Sequence, residues 1–122
     1  MTLATLHELA ITTAVVSTTD LKRYHHRYDI KTISVNSAAT QTFILPRAAT
    51  STATENELTF VKLGKGNVII QTAPSDIIAN SAASGYIYNS STIQLYATLT
   101  IRAVPSANKW VIIGAHGTWQ HP

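Results

Sequence analysis

The residues able to do acid–base or metal chemistry in this chain are few and scattered. The six carboxylates are Glu8, Asp20, Asp29, Glu55, Glu57 and Asp76. A glycosidase needs two of them held roughly 5–9 Å apart across a sugar. Only Glu55 and Glu57 are close in sequence, and they flank a loop and mark an exposed strand start. There is no G-x-S-x-G, no H-E-x-x-H and no P-loop; Gly64-Lys65-Gly66 is too short to cradle phosphate and reads as a turn. The chain has no cysteine, which removes disulfides, thiolate metal sites and a cysteine nucleophile. His25 and His26, with His7, come nearest to a metal set. Adjacent histidines on an extended segment point apart, however, and no third ligand stands at zinc spacing. His116 and His121 read as surface residues near Trp119. The expectation is a protein with no catalytic residues, no bound metal and no cofactor.

Binding chemistry is better represented. Lys22, Arg23, Arg27 and Lys31 interleave with Tyr24, His25, His26 and Tyr28. Nucleic-acid grooves also mix bases with aromatics, but Asp20 and Asp29 dilute the patch, and contact with an acidic protein surface fits it better than nucleic acid. Tyr86, Tyr88, Tyr96 and Trp119 form a second set, read as a subunit interface or a glycan face with wet phenol tips. Trp110 opens an apolar strand and is expected to pack in the core or at a sheet end. Trp119 reads as packing, with a sugar-stacking platform as the alternative.

These side chains must be held by a chain of 122 residues, which fits one domain. It is 45% hydrophobic and 12% charged, with net charge +3. A charged fraction of about 25% is usual, so half the normal charge covers this surface. The hydrophobic content argues against disorder. No apolar run approaches the roughly 18 residues of a membrane span, so no membrane role is expected. The opening MTLATLHELA lacks the basic and apolar regions of a secretory signal, so assembly in a cytoplasm is expected. Runs such as VNSAATQTF, RAATSTATEN and ANSAASG leave a bland Thr, Ser, Ala and Asn surface. A surface so poor in charge tends to associate, here with copies of itself or a larger assembly.

The chain divides near residue 28. Residues 1–28 read as an arm, extended or briefly helical. Leu3, Leu6 and Ala10 stand at helical spacing and Thr5–Glu8 has the form of a capping box, while ITTAVV favours extended chain. Leu3, Leu6 and the run Lys22-Arg23-Tyr24-His25-His26-Arg27-Tyr28 are the residues with which this arm would grip a neighbour. Residues 29–122 read as short strands. DIKTISV alternates, QTFIL stops at Pro46, and ELTFVKL and VII flank Gly64-Lys65-Gly66-Asn67 as a hairpin. Alternation is longest over Thr92–Val104, where Ile93, Leu95, Ala97, Leu99, Ile101 and Ala103 share one face. KWVII returns as its partner after the Pro105–Asn108 turn. No repeat of fixed period is visible. About eight strands with frequent turns predict an all-β fold, an antiparallel β-sandwich or jelly roll.

The order of these pieces resembles the small β-sandwich modules of bacteriophage virion proteins, found at tail-fibre and spike tips and in head-decoration proteins. It runs YDIKTIS, then TFILPRA, then ELTFVKLGKGNVIIQTAPSDII, then TIQLYATLTIRAVPSANKWVIIGAHGTW. A short strand ends in L-P, an apolar run precedes a proline turn, and a long alternating strand leads into W-x-I-x-G before a second Trp closes the module. The resemblance spans Tyr28 to Trp119. It implies a non-enzymatic homotrimer on a virion. One role it implies is a capsid decoration protein docked through the arm on a major capsid or other virion protein. The other is a tail-fibre or tail-tip module that meets the host surface, with a host glycan as a candidate partner. A free carbohydrate-binding module is a third reading. No receptor-binding residue carries over, because such modules share a frame rather than a fixed site.

Overall fold

Short segments with alternating, β-branched residues become strands wherever one face can be buried. The computed structural model describes residues 8–22, 31–50, 57–79, 85–90 and 96–121. Within them lie β1 (Glu8–Ile11), β2 (Ser17–Asp20), β3 (Thr32–Val35), β4 (Gln41–Ile44), β5 (Glu57–Lys62), β6 (Val68–Gln71), β7 (Ile77–Ile78), β8 (Tyr86–Asn89), β9 (Ala97–Val104) and β10 (Lys109–His116). Short 3-10 turns cover Ala48–Thr50 and Pro105–Ala107. The strands form two sheets, ordered β1-β3-β5-β9-β10-β7 and β2-β4-β6-β8. The chain is all-β and sandwich-like, as expected.

The pairing inside that frame is mixed rather than antiparallel throughout. β1, β3 and β5 pair in parallel, as do β2, β4 and β6. The chain therefore crosses from one sheet to the other and back, stacking three rungs: β1–β2, β3–β4 and β5–β6. Glu8 lies beside Thr32 and Thr32 beside Thr59; Ser17 lies beside Gln41 and Gln41 beside Val68. The spacing is 24 residues and then 27. The two spacings differ and stacked residues share direction rather than type, so the rungs carry no repeat of fixed period. The topology also corrects the hairpin reading of β5 and β6, which belong to different sheets. A glycine-rich turn serves a sheet-changing corner as well as a hairpin. The C-terminal strands then close the coil with antiparallel pairs, β8 on β6 and β9 between β5 and β10.

The first rung falls inside the segment expected to be a separate arm. β1 and β2 are edge strands of the two sheets, Leu9 and Ile11 pack against the core, and Leu21 is buried in it. Glu8–Ile11 and Ser17–Asp20 are therefore part of the sheets. Ser17-Thr18-Thr19-Asp20 reads locally as a turn cluster, and only the parallel partner β4 makes it a strand. The capping-box reading of Thr5–Glu8 meets a strand at Glu8; residues 1–7 lie outside the described residues.

Inward side chains stack in columns. Leu9, Ile33, Phe60 and Leu99 are lateral neighbours in one sheet, and Thr19, Phe43, Ile70 and Ile87 in the other. Phe43 and Phe60 meet between the sheets, ring centres 5.5 Å apart and tilted by 57°. Trp110 and Ile78, both buried, fill the core at the β7–β10 side. From Ala97 onward the alternation is as read from the sequence, with Ala97, Leu99, Ile101 and Ala103 buried, while Ile93 and Leu95 lie outside the described residues.

Rungs are locked where corners stack. A Cβ on Gly66 would lie 2.1 Å from the Ala39 carbonyl oxygen, and one on Gly64 2.4 Å from Ser37 backbone atoms. This closeness lets the Gly66 amide donate to the Ser37 carbonyl at 2.8 Å. One corner earlier, buried Gln41 donates to the Val15 carbonyl at 2.8 Å and to Ser37 Oγ at 3.2 Å, while accepting from Ser17 Oγ. Gly66→Ala should therefore lower the urea midpoint by forcing two corners apart. Leu99→Ala should cost about 2–5 kcal/mol for a large-to-small change in a packed core. Equilibrium urea unfolding measures both; a wild-type midpoint in Gly66→Ala would contradict the stacking constraint.

Candidate functional site

Of the residues singled out as an assembly arm, Leu3, Leu6, Arg23, Tyr24, His25, His26, Arg27 and Tyr28 lie outside the described residues. Lys22 is described and exposed, just past β2. Its amide donates to the Asp20 carboxylate at 3.0 Å. Asp20, Lys22, Ile44, Leu45, Pro46, Arg47, Ala73 and Pro74 line an open cleft of about 220 Å³. Leu45 and Pro46 are buried and Arg47 is exposed, so the cleft has an apolar floor and a charged rim.

The structure brings together part of the second set. Tyr86 and Tyr88 stand two apart on β8, on the face opposite buried Ile87 and Asn89. Their ring centres are 6.0 Å apart, tilted by 40°. Gln120 pairs with Tyr88 through two backbone hydrogen bonds of 2.9 Å, which brings the chain end alongside this strand. Trp119 is half-buried against the core, and its indole N–H donates to the Thr98 carbonyl at 3.0 Å and the His116 carbonyl at 3.2 Å. Tyr96 belongs to the other sheet. It precedes β9 in a left-handed conformation (φ 66°), donates its amide to the Lys62 carbonyl and is 68% exposed.

Two buried polar side chains have local roles. Lys62 follows Leu58 and Phe60 on the inward face of β5, and its Nζ donates to the Gly64 carbonyl at 2.8 Å. Burial lowers its pKa below the ordinary 10.5. Asp76 is fully buried and accepts from the Ala48 amide at 2.8 Å. Its second carboxylate oxygen and the Trp110 indole nitrogen are buried without a hydrogen-bond partner. The sequence places Asp76 in a turn, and nothing local signals its burial. Among the described residues no three His, Asp or Glu side chains come together around a possible metal position. No helix among them is long and apolar enough to cross a membrane.

The largest unsatisfied features are edges and exposed apolar side chains. Val15 and Val16 project from the first corner, and Ile112 and Ile113 from β10. Every residue from Ile112 to His116 is exposed, on both faces of the strand. β7 pairs only with Lys109 and Trp110, so among the described residues no strand covers the rest of that edge. Among the described residues the outer edges of β1 and β2 are likewise open. Edges of this kind invite strand addition unless proline, charge or a bulge blunts them. β10 carries one irregularity, between Ile112 and Gly114, and no charge from Val111 to Ala115.

Comparisons with protein-family models, with curated proteins and with solved structures found nothing that matches this chain.

Because the folded pKa of Lys62 lies below its unfolded value, the unfolded chain binds more protons between the two. The cost of burying the ammonium is full at neutral pH and falls as pH rises through that window. Lys62→Met should remove this contribution, so that stability rises less steeply toward pH 10.5 than in the wild type. Urea midpoints measured across that range check the difference in slope.

Proposed function

We propose that this chain is a non-enzymatic structural subunit of a bacteriophage virion. It acts as a homotrimeric capsid decoration protein, assembled in the host cytoplasm and docked on a major capsid or other virion protein. The observation that carries the reading is the unprotected edge of β10, exposed and charge-free beside Ile112 and Ile113. Together with a chain only 12% charged, it describes a surface suited to cover by other protein. Docking is assigned to Leu3, Leu6 and the basic-aromatic run Lys22–Tyr28, as the resemblance to head-decoration modules implies. Among the described residues, Asp20 accepts from a turn amide, Glu8 from the Ser34 hydroxyl, Glu57 pairs with Arg102 and Asp76 holds the Ala48 amide.

A tail-fibre or tail-tip role is the second reading, and the Tyr86–Tyr88 pair favours it. Two adjacent rings on an outer sheet face make a stacking platform suited to a host-surface glycan.

Sedimentation should give a mass near three times 13.2 kDa; a concentration-independent single chain would overturn the trimer. Reversing charge at Lys22, Arg23 and Arg27 should abolish co-sedimentation with phage heads while leaving that mass unchanged. Persistent binding to heads would reject the assigned docking run. Glycan-array binding that is lost in Tyr88→Ala would favour the tail role over the head.

A further inference from the structure

We propose that the threefold contact is made by one strand pairing: β1 of one copy seats on the open edge of β10 in the next, beside residues Val111–His116. This inference rests on the trimer reading above and specifies its contact.

A ring of three identical chains needs a heterologous contact, in which one patch meets a different patch on the neighbour. The six-stranded sheet supplies such a pair, since among the described residues β1 ends it on one side and β10 is open on the other beyond its short pairing with β7. Directions agree as well. β1 is parallel to β3 and β5, β9 is antiparallel to β5, and β10 is antiparallel to β9. β10 therefore runs the same way as β1. A β1 strand placed on its edge by rotation about an axis along the strands meets it in parallel, the way β7 already does.

Length and charge agree too. β7 occupies the edge at Lys109 and Trp110, which leaves Val111–His116 for a strand in line with β7. β1 has four residues and fits within that stretch. Val111–Ala115 bears no charge, and the one charge on β1, Glu8, is engaged by the Ser34 hydroxyl at 2.7 Å. The joint opposes no like charges, and it covers two edges of the kind that isolated proteins blunt. Ile112 and Ile113 lie in the part of β10 that the incoming strand borders.

The absence of cysteine makes the test clean. Ala10→Cys is made in one full-length preparation, and Gly114→Cys or Ala115→Cys in another. Ala10 and Ala115 are exposed, and a side chain at Gly114 meets only ordinary contact with Thr100, 3.9 Å away. Adjacent β10 positions face opposite ways, so one of them shares the face of Ala10. After mixing, subunit exchange and mild oxidation, a disulfide between unlike chains is the expected result with one of the two β10 variants. A link between two Ala115→Cys chains instead would place β10 on β10 and overturn the proposal. A wild-type mass of three chains with no unlike link would also overturn it while leaving the trimer standing. A wild-type mass of one chain would defeat both.

Discussion

The close approach of successive corners is the constraint on which the coil depends. Parallel strands need a connection that returns each one to the same end of its sheet. Here the return runs through a strand of the other sheet, and the short corners at residues 12–16, 36–40 and 63–67 must stack at the same separation as the strands they join. Gly64 and Gly66 meet this by having no side chain where Ser37 and Ala39 come closest. Ser37 and Gln41 meet it one rung earlier by offering polar groups to Thr13, Val15 and Ser17. Lys62 caps the same corner from inside, and its ammonium on the Gly64 carbonyl offsets part of the cost of its burial. With the corners fixed, both columns of apolar side chains follow in register.

The parts legible in the sequence were those set by local alternation. β9 shows its buried face in Leu99 and Ile101, and Lys62 shows its inward direction by its step from Leu58 and Phe60. Tyr86 and Tyr88 show their adjacency by standing two apart. The coil itself was hidden because partners in a parallel ladder lie a full rung away. One column reads Ser17, Gln41, Val68 and Asn89 in succession, polar at every position but Val68. No residue type marks it. Likewise Asp76 sits in a Pro-Ser-Asp turn whose sequence speaks for solvent, and only the Ala48 amide brought by a distant segment buries it.

The outer faces rely little on charge. Glu57 and Arg102 pair across β5 and β9 at 2.9 Å, but both are well exposed, and such pairs contribute about 0–1 kcal/mol. Beside them Thr59 and Thr100 share a hydrogen bond of 2.9 Å. Among the described residues the most exposed large aliphatic side chains are Val15 and Val16 at one corner and Ile112 and Ile113 on β10.

The two ends of the coil are finished differently. Antiparallel strands β8 and β9 cover the third rung, while among the described residues the first rung has a neighbour on one side only. In stacked repeats each unit is stabilised by those it touches, so unfolding has a polarity. The turn at residues 8–20 is the first to fray, and amide exchange slows progressively toward β5 and β9. The chain thus carries a graded zipper, loose at its first rung and tight where β8 and β9 close it.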